Sequence, residues 1–416
     1  MLSIPKSQTV WSFRLVLVCL TALSVSLPMA WISLSKILLF VSGLGYLITN
    51  HYKKNRGAPW QEIWTTRIVL ATIVAFAASL LWTEVNMDFA LLTLIKHAKL
   101  LTVLLLISLI RTEYEARAAV VTFATGQVIV LLMSWLMAVG VTYPWTNPIN
   151  APYVVFAESY IDQSIMFATT AAIFWHLRSE QLWPRWFASA FAITALLNVF
   201  LLLPGRTGYL IAMAMLSLAI MWTLNKRMRI VALAITPLII VLGLYFSSGQ
   251  VKDRITQAVS ETQNYSRQIE TKSSSGWRLN AWHRSVQAIF ESPWIGHGVG
   301  SWTPAVKHME GATATQVFGS SNSSNPHQEY LLWGVEIGVA GMLLLIGFLG
   351  GAAWDAKRFP TGVRRATLST LVAIAIACLF NSALFDDLMG DFLCVSLGLM
   401  MALGLRASTQ QPDSSN

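Results

Sequence analysis

Three side chains are of types and in places that could do chemistry: Arg206 between two apolar runs, and Arg278 and His327 within and at the end of the one long polar stretch. Arg206 lies in Leu203-Pro204-Gly205-Arg206-Thr207-Gly208-Tyr209, between two apolar runs. An arginine near hydrocarbon costs roughly 2.5–3.5 kcal/mol at mid-membrane and less at the edge. A bound anion offsets that cost, and the free N–H groups of a helix starting near Tyr209 would strengthen the site. The plainer alternative is an interfacial arginine that snorkels to lipid phosphate. His327 stands in Asn325-Pro326-His327-Gln328-Glu329-Tyr330, directly before another apolar run. A neutral imidazole there can take a proton from a hydroxyl near neutral pH. The alternative is a histidine that only hydrogen-bonds a loop. Pro326 pre-orders this turn, and Asn325 is expected to cap the helix that follows.

Arg278 opens an amphipathic pattern. Leu279, Trp282, Val286, Ile289 and Phe290 fall on one stripe at helical spacing, and Pro293 stops it. This helix is expected to lie on a membrane surface, anchored by Trp277, Trp282 and Trp294; a solvent-facing Arg278 is the alternative. Gly296, Gly298 and Gly300 then give a tight turn. No strand–helix unit surrounds them, so a dinucleotide fold is not indicated. Further ionisable groups fall in or beside apolar runs: Lys36, Lys96, His97, Lys99, Glu158, Asp162, Asp386, Asp387 and Asp391. Such groups are functional candidates by default. The three aspartates could hold a divalent ion or cap a helix, and no metal site is assigned to them.

The elements that position these residues are membrane helices. Of the 416 residues 55% are hydrophobic and 12% charged, with mean hydropathy +0.56. Soluble domains carry roughly 25% charged residues. Apolar runs near 20 residues span a bilayer as helices, and the alternating pattern of an outer-membrane barrel is absent. About twelve spans are expected: Trp11–Leu27, Trp31–Thr49, Ile63–Trp82, Phe89–Ile110, Ala116–Val139, Tyr160–Leu177, Trp186–Leu203, Tyr209–Leu224, Ile230–Phe246, Tyr330–Trp354, Ala366–Phe385 and Phe392–Leu405. The fold class expected is thus an all-α polytopic membrane protein. Residues 1–247 form spans one to nine, 248–327 a long loop domain, 328–406 spans ten to twelve, and 407–416 a disordered tail. Pro28-Met29-Ala30 resembles a signal-peptide cleavage site, but the second span follows too closely for that reading.

Charge orients the layout. Lys53, Lys54, Arg56, Arg111, Arg117, Arg178, Arg185, Lys226, Arg227, Arg229, Lys357, Arg358, Arg364 and Arg365 all fall in alternate connections, which belong in the cytoplasm. Both termini are then cytoplasmic, and the long loop faces the periplasm in a bacterium. Arg206 is the basic exception on that side. The net charge of +9 follows from this pattern and calls for no nucleic-acid partner. Cys19, Cys378 and Cys394 lie in apolar segments and are expected to be unpaired hydrophobes.

At these residues the chain resembles the O-antigen ligase and polymerase superfamily. Pro204-Gly205-Arg206-Thr207-Gly208 is similar to that family's "SR-T-G" step. Arg278 to Trp282, with Pro293 to Gly300, is similar to its "R-x-x-x-W … P-x-x-G-x-G-x-G" core. Pro326 to Leu331, with Glu336 to Gly341, is similar to its "H-N-x-x-L … E-x-G-x-x-G" segment. The chain departs from the pattern at Gly205, where Ser is usual, and at Gln328, where Asn is usual. The resemblance implies a GT-C-like glycosyltransferase without metal or nucleotide cofactor. Its donor would be a polysaccharide on undecaprenyl pyrophosphate. Its acceptor would be the lipid A–core of lipopolysaccharide, reached at the periplasmic face of the inner membrane. Arg206 and Arg278 would grip the pyrophosphate, and His327 would act as base or as a phosphate ligand. Lys96, His97, Lys99, Asp162, Trp282 and Asp386 are the expected substrate contacts. The runner-up readings are an O-antigen polymerase or a protein O-oligosaccharyltransferase. A lipid-linked-glycan transporter, which would favour internal repeats and broken mid-membrane helices, is disfavoured because the charge gathers at one face and the loop is large. A non-catalytic scaffold is disfavoured by the Arg/Arg/His set.

Overall fold

The computed structural model describes residues 13–52, 63–147, 149, 151–225, 274–308 and 325–408, with scattered positions between 227 and 260. These residues form fourteen α-helices and, among the described residues, no strand. Helices α1 (Phe13–Ser24), α2 (Met29–Tyr52), α3 (Trp64–Ala78), α4 (Met87–His97), α5 (Leu101–Leu109) and α6 (Glu113–Ala138) come first. Next are α7 (Tyr160–Leu177), α8 (Arg185–Leu201) and α9 (Arg206–Thr223). After the long loop begins come α10 (Ser274–Glu291) and the short α11 (Trp302–His308). The chain closes with α12 (Glu329–Asp355), α13 (Thr361–Phe380) and α14 (Asp387–Ser408).

Eight helical segments among the described residues are long and apolar enough to cross a membrane. Helices α1 and α8 are apolar but shorter, at 12 and 17 residues. The expected fourth span is two helices, α4 and α5, joined by a 3-10 turn over Ala98–Leu100. Most of the expected ninth span, 230–246, and most of 248–273 lie outside the described residues, as do 409–416. Helix α7 matches the expected sixth span in extent but is too polar for the eight. It is buried along most of its length and packs on α8, α9 and α13. Its polar groups are satisfied by protein: the Gln163 side chain donates to the Tyr153 carbonyl at 2.8 Å, and Thr170 Oγ1 donates to the Met166 carbonyl at 2.7 Å.

Helix starts follow local chemistry. Thr112 and Glu115 form a reciprocal capping box at α6, and Ser159 accepts from Asp162 N at α7. Helix α12 is capped by Gln328, whose side chain accepts from Leu331 N at 2.6 Å. Asn325, the expected cap, instead accepts from His327 N at 2.9 Å. The cap moved because His327 leaves the helical region, so the first helical turn starts at Glu329.

The two ends of the bundle differ. One end gathers the basic connections. Arg117 donates to the Glu180 carbonyl at 2.9 Å, Arg406 to the Ile110 carbonyl at 2.9 Å, and Ser408 to the Arg358 carbonyl at 3.0 Å. The other end gathers the starts of α7, α9, α12 and α14. A Cβ on Gly205 would meet the Tyr160 carbonyl, Thr207 accepts from Asn381, and Glu329 accepts from Leu384.

The glycine-rich segment after α10 is locked into a break in α12. Helical geometry fails at Ile337 and Gly338, which has φ 69° and ψ −163°. The freed backbone is paired across the break. His297 N donates to the Val335 carbonyl, Gly298 N to the Glu336 carbonyl, and Val339 N to the Pro293 carbonyl, each at 2.8 Å. Irregular backbone inside an apolar bundle is tolerated only when protein satisfies it in this way. A Cβ on Gly338 would stand 2.6 Å from the Pro293 carbonyl oxygen. Gly338→Ala is therefore expected to destabilise by about 1–3 kcal/mol and to lower the thermal midpoint. Gly350→Ala, where an added Cβ meets nothing within 4 Å, serves as control. Equal midpoints for the two variants would contradict this account of the lock.

Helix α10 meets the rest of the protein mainly through small residues. Ala281, Ser285 and Ala288 are among its buried positions, on a helix that packs against α12 and α11. Val286, Phe290 and, just past the helix, Trp294 are 40%, 78% and 79% exposed. Small residues allow close helix packing, and Val286 and Phe290 are left facing outward.

Candidate active site

The turn that carries His327 is tied down by its neighbours. Its backbone has φ 51°, a left-handed value uncommon for any residue but glycine. The Asn325 side chain fixes its N–H. Trp282 Nε1 donates to the Pro326 carbonyl at 3.1 Å, which ties the turn to α10. The Trp277 ring meets the His327 ring edge-on, with centroids 5.2 Å apart. Strained backbone of this kind clusters at functional sites, where surrounding contacts over-determine it.

Arg278, next to Trp277 and half-buried, is close enough to bias the imidazole charge. Burial first, and then the Arg278 guanidinium, push the His327 imidazole down to about 4. Its value in an unfolded chain is about 6.5. The neutral form is thus favoured by folding. That contribution is complete above the unfolded value and is lost as pH falls through about 4. A neutral imidazole with a free ring nitrogen can accept a proton. An anion bound beside Arg278 would raise this value again. If His327 takes a proton in the reaction, the acidic limb of kcat/KM, which reports the free enzyme, should fall near pH 4. The acidic limb of kcat should lie higher. Coincident limbs would argue against a base whose charge responds to the bound anion.

Arg206 is the first residue of α9 and is half-buried. The start of α9 rests on α7 because Gly205 and Gly208 leave room for Ser164: a Cβ on either would collide with the Ser164 hydroxyl. The Ser164 hydroxyl thus fills the space a serine at 205 would need. Beside Arg206, Thr207 Oγ1 accepts from Asn381 Nδ2 at 3.2 Å.

Asn381 begins the turn on which this end of the bundle is built. Glu329, two residues after His327 and fully buried, accepts from Leu384 N and Phe385 N at 3.0 and 3.2 Å and from Trp333 Nε1 at 2.8 Å. Lys99 Nζ donates to the Phe385 and Asp386 carbonyls at 2.9 and 2.6 Å and lies 3.2 Å from Asp387. One turn, 381–387, therefore links the starts of α9, α12 and α14. Helix N-termini carry partial positive charge and free N–H groups, so their convergence favours an anion.

The other expected substrate contacts fall into two groups. Lys96 is part-exposed, 3.7 Å from Asp387, with its ammonium 4.7 Å from the Phe385 ring centroid. Asp386 is largely buried on the same turn, where burial raises its carboxyl to about 6 against the opposing pull of Lys99. Asp162 lies at the start of α7 within electrostatic reach of Asp386, and its carboxylate accepts from Ser159 Oγ at 2.9 Å. His97 and Lys99 are 3% and 2% exposed and already engaged within the protein. His97 Nε2 is 2.7 Å from Glu336 Oε2 and its ring stacks on Phe76 at 3.9 Å. Trp282 is committed to the Pro326 carbonyl. Lys36 pairs with Asp391 at 2.6 Å. Sequence reasoning missed Glu329, Glu336 and Asn381 as organisers of this end. The available signal was two carboxylates, seven residues apart, inside an otherwise apolar helix.

Residues 190–346 match the O-antigen ligase family. That segment is an O-antigen ligase family domain. The matched segment runs from within α8 through the long loop into α12 as far as residue 346, and it contains Arg206, Arg278, His327, Glu329 and Glu336. A search of curated proteins finds no match for the chain. The helices that complete the site from outside the domain are α4, α5, α7, α13 and α14, through Lys99, Ser164, Asn381 and the turn that follows.

Proposed function

We propose that this chain is an O-antigen ligase of the bacterial inner membrane. It takes O-antigen polysaccharide from undecaprenyl pyrophosphate and joins it to the lipid A–core oligosaccharide at the periplasmic face. The observation that carries this reading is a neutral, tightly held His327 beside Arg278, inside the ligase-family segment. Arg206, at the start of α9 on the same end of the bundle, supplies a second guanidinium. In the reaction, an acceptor hydroxyl oxygen bonds to the anomeric carbon. The bond from that carbon to the pyrophosphate oxygen breaks, and the hydroxyl proton passes to His327. The electron pair leaves on undecaprenyl pyrophosphate, whose growing charge Arg206 and Arg278 hold in charge-assisted hydrogen bonds. A single displacement inverts the anomeric carbon. The glycosyl pyrophosphate already carries a good leaving group, so neither nucleotide nor metal is required. Lys96, Asp162 and Asp386 line the approach of the phosphates and acceptor sugar. The fold is a GT-C-like array of twelve spans with both termini in the cytoplasm, roofed by α10 on the outer leaflet.

The test is transfer by purified protein given undecaprenyl-linked glycan and lipid A–core, with and without a chelator. Glycan on lipid A–core in both arms is the expected result. Longer glycan still on undecaprenyl would make the chain a polymerase, and loss of activity in chelator would remove the metal-independent mechanism.

A further inference from the structure

We propose that a second site, at the basic end of the bundle, holds one anionic glycerophospholipid. Its acyl chain would fill a cavity between α7, α8 and α9, and its phosphate would sit against His176, Arg178 and Arg365. The inference is independent of the reaction proposed for the other end.

The cavity has a volume of about 300 Å³ and is open on one side. Ala171, Ala172, Ala192, Ile193, Met215 and Ala219 form most of its wall. Three helices crossing with alanines at their contact leave a slot that side chains do not fill, and lipid chains are its natural occupants in a membrane. Ile193 and Ile220, on its rim, are 53% and 40% exposed, which continues the apolar surface outward.

The polar edge of the cavity points to the headgroup. His176 lines the slot and is 6% exposed, and its Nε2 has no hydrogen-bond partner among the described residues. A buried polar atom without a partner is costly and marks a missing ligand or water. The Trp222 ring meets His176 edge-on at 4.8 Å, and the Arg365 guanidinium lies over Trp222 at 5.8 Å. Arg365 donates one N–H to the Trp222 carbonyl at 3.3 Å, but its buried Nε is unpartnered among the described residues. Arg178 lies over Trp175, another lining residue, at 3.7 Å. Arg178, Arg229 and Arg364 are all within electrostatic reach of Arg365. The nearby carboxylate, Glu180, is engaged at the start of α13, where it accepts from Gly362 N at 3.1 Å.

An unmatched Arg365 N–H, an unpartnered imidazole nitrogen and clustered guanidinium groups beside an apolar slot match a phosphate ester with an attached chain. Basic pockets between helices at one membrane surface recognise anionic lipid in this way. His176 and Asp162 are fourteen residues apart on α7, about 21 Å along the axis. A polyprenyl tail descending from the far end would fill the slot but bring no anion to His176 or Arg365.

The experiment is native mass spectrometry of the full chain. It is released from bilayer discs containing phosphatidylglycerol, phosphatidylethanolamine or undecaprenyl phosphate at equal loading. Retention of one phosphatidylglycerol is expected, about tenfold above phosphatidylethanolamine. Ala219→Phe, which fills the slot, and Arg178→Ala with Arg365→Ala, which removes the charge, should each lower that retention about tenfold. If the charge variant fails to fold, the Ala219→Phe arm decides. Equal retention of the two phospholipids, retention unaffected by Ala219→Phe, or preferential retention of undecaprenyl phosphate would overturn the proposal.

Discussion

Alanine at His327 is expected to lower glycan transfer by about 10²–10⁴-fold, the range for loss of a positioned general base. Protein in the membrane should stay near the normal level. His327 is only half-buried, and its ring packs edge-on to one tryptophan, so truncation opens little of the core. Alanine at Arg278 or Arg206 should cost about 10²–10³-fold by removing a donor from the developing charge. Lysine should not restore either, because a point charge cannot reproduce a planar two-bonded grip. The Arg278 variant carries a second signature. Without that guanidinium the His327 value should rise towards the ordinary range, which moves the acidic limb of kcat/KM upward. Steady-state transfer with a synthetic lipid-linked glycan, alongside membrane protein levels, measures all three. Normal transfer by any variant removes that residue from the mechanism.

The second large effect is structural. Glu336 and His97 are each 1% exposed at the side chain and 2.7 Å apart. Glu336 also accepts from Gly300 N at 2.8 Å and offers its own carbonyl to Gly298 N. One residue thereby joins α4, the break in α12 and the glycine segment. Removing one partner of a buried pair typically costs about 3–5 kcal/mol, because the other is left unpaired. Glu336→Ala should therefore lose most folded protein, read as membrane protein level and thermal midpoint. Glu336→Gln keeps an acceptor for Gly300 and should lose less. Wild-type stability in Glu336→Ala would show that the glycine segment is held by other means.

The helices were legible because an apolar run of the right length has one solution in lipid. The break at Ile337–Gly338 was not, because it depends on backbone groups supplied 40 residues earlier, by Pro293 to Gly298. The chemistry-bearing residues were found by type and cost, as with Arg206 beside hydrocarbon. Their division of labour was hidden. Lys96, His97 and Lys99 read alike in sequence, yet Lys96 stays part-exposed while His97 and Lys99 are buried, only 3% and 2% exposed. Helical spacing decides which of the three turns outward, but the partners, Glu336 and the 385–387 turn, come from far along the chain. On α10 the stripe was readable, but which face meets protein was not, since Ala281, Ser285 and Ala288 make too little hydrophobic contrast.

The most direct test of the central claim is equilibrium binding of undecaprenyl pyrophosphate to wild-type protein, Arg206→Ala, Arg278→Ala and the double variant, with His327→Ala alongside. If both guanidinium groups hold one diphosphate, each single variant weakens binding and the double variant weakens it by less than the sum of the two. His327→Ala should bind almost as tightly as wild type and yet not transfer. Binding that ignores either arginine would mean that the two do not share a substrate.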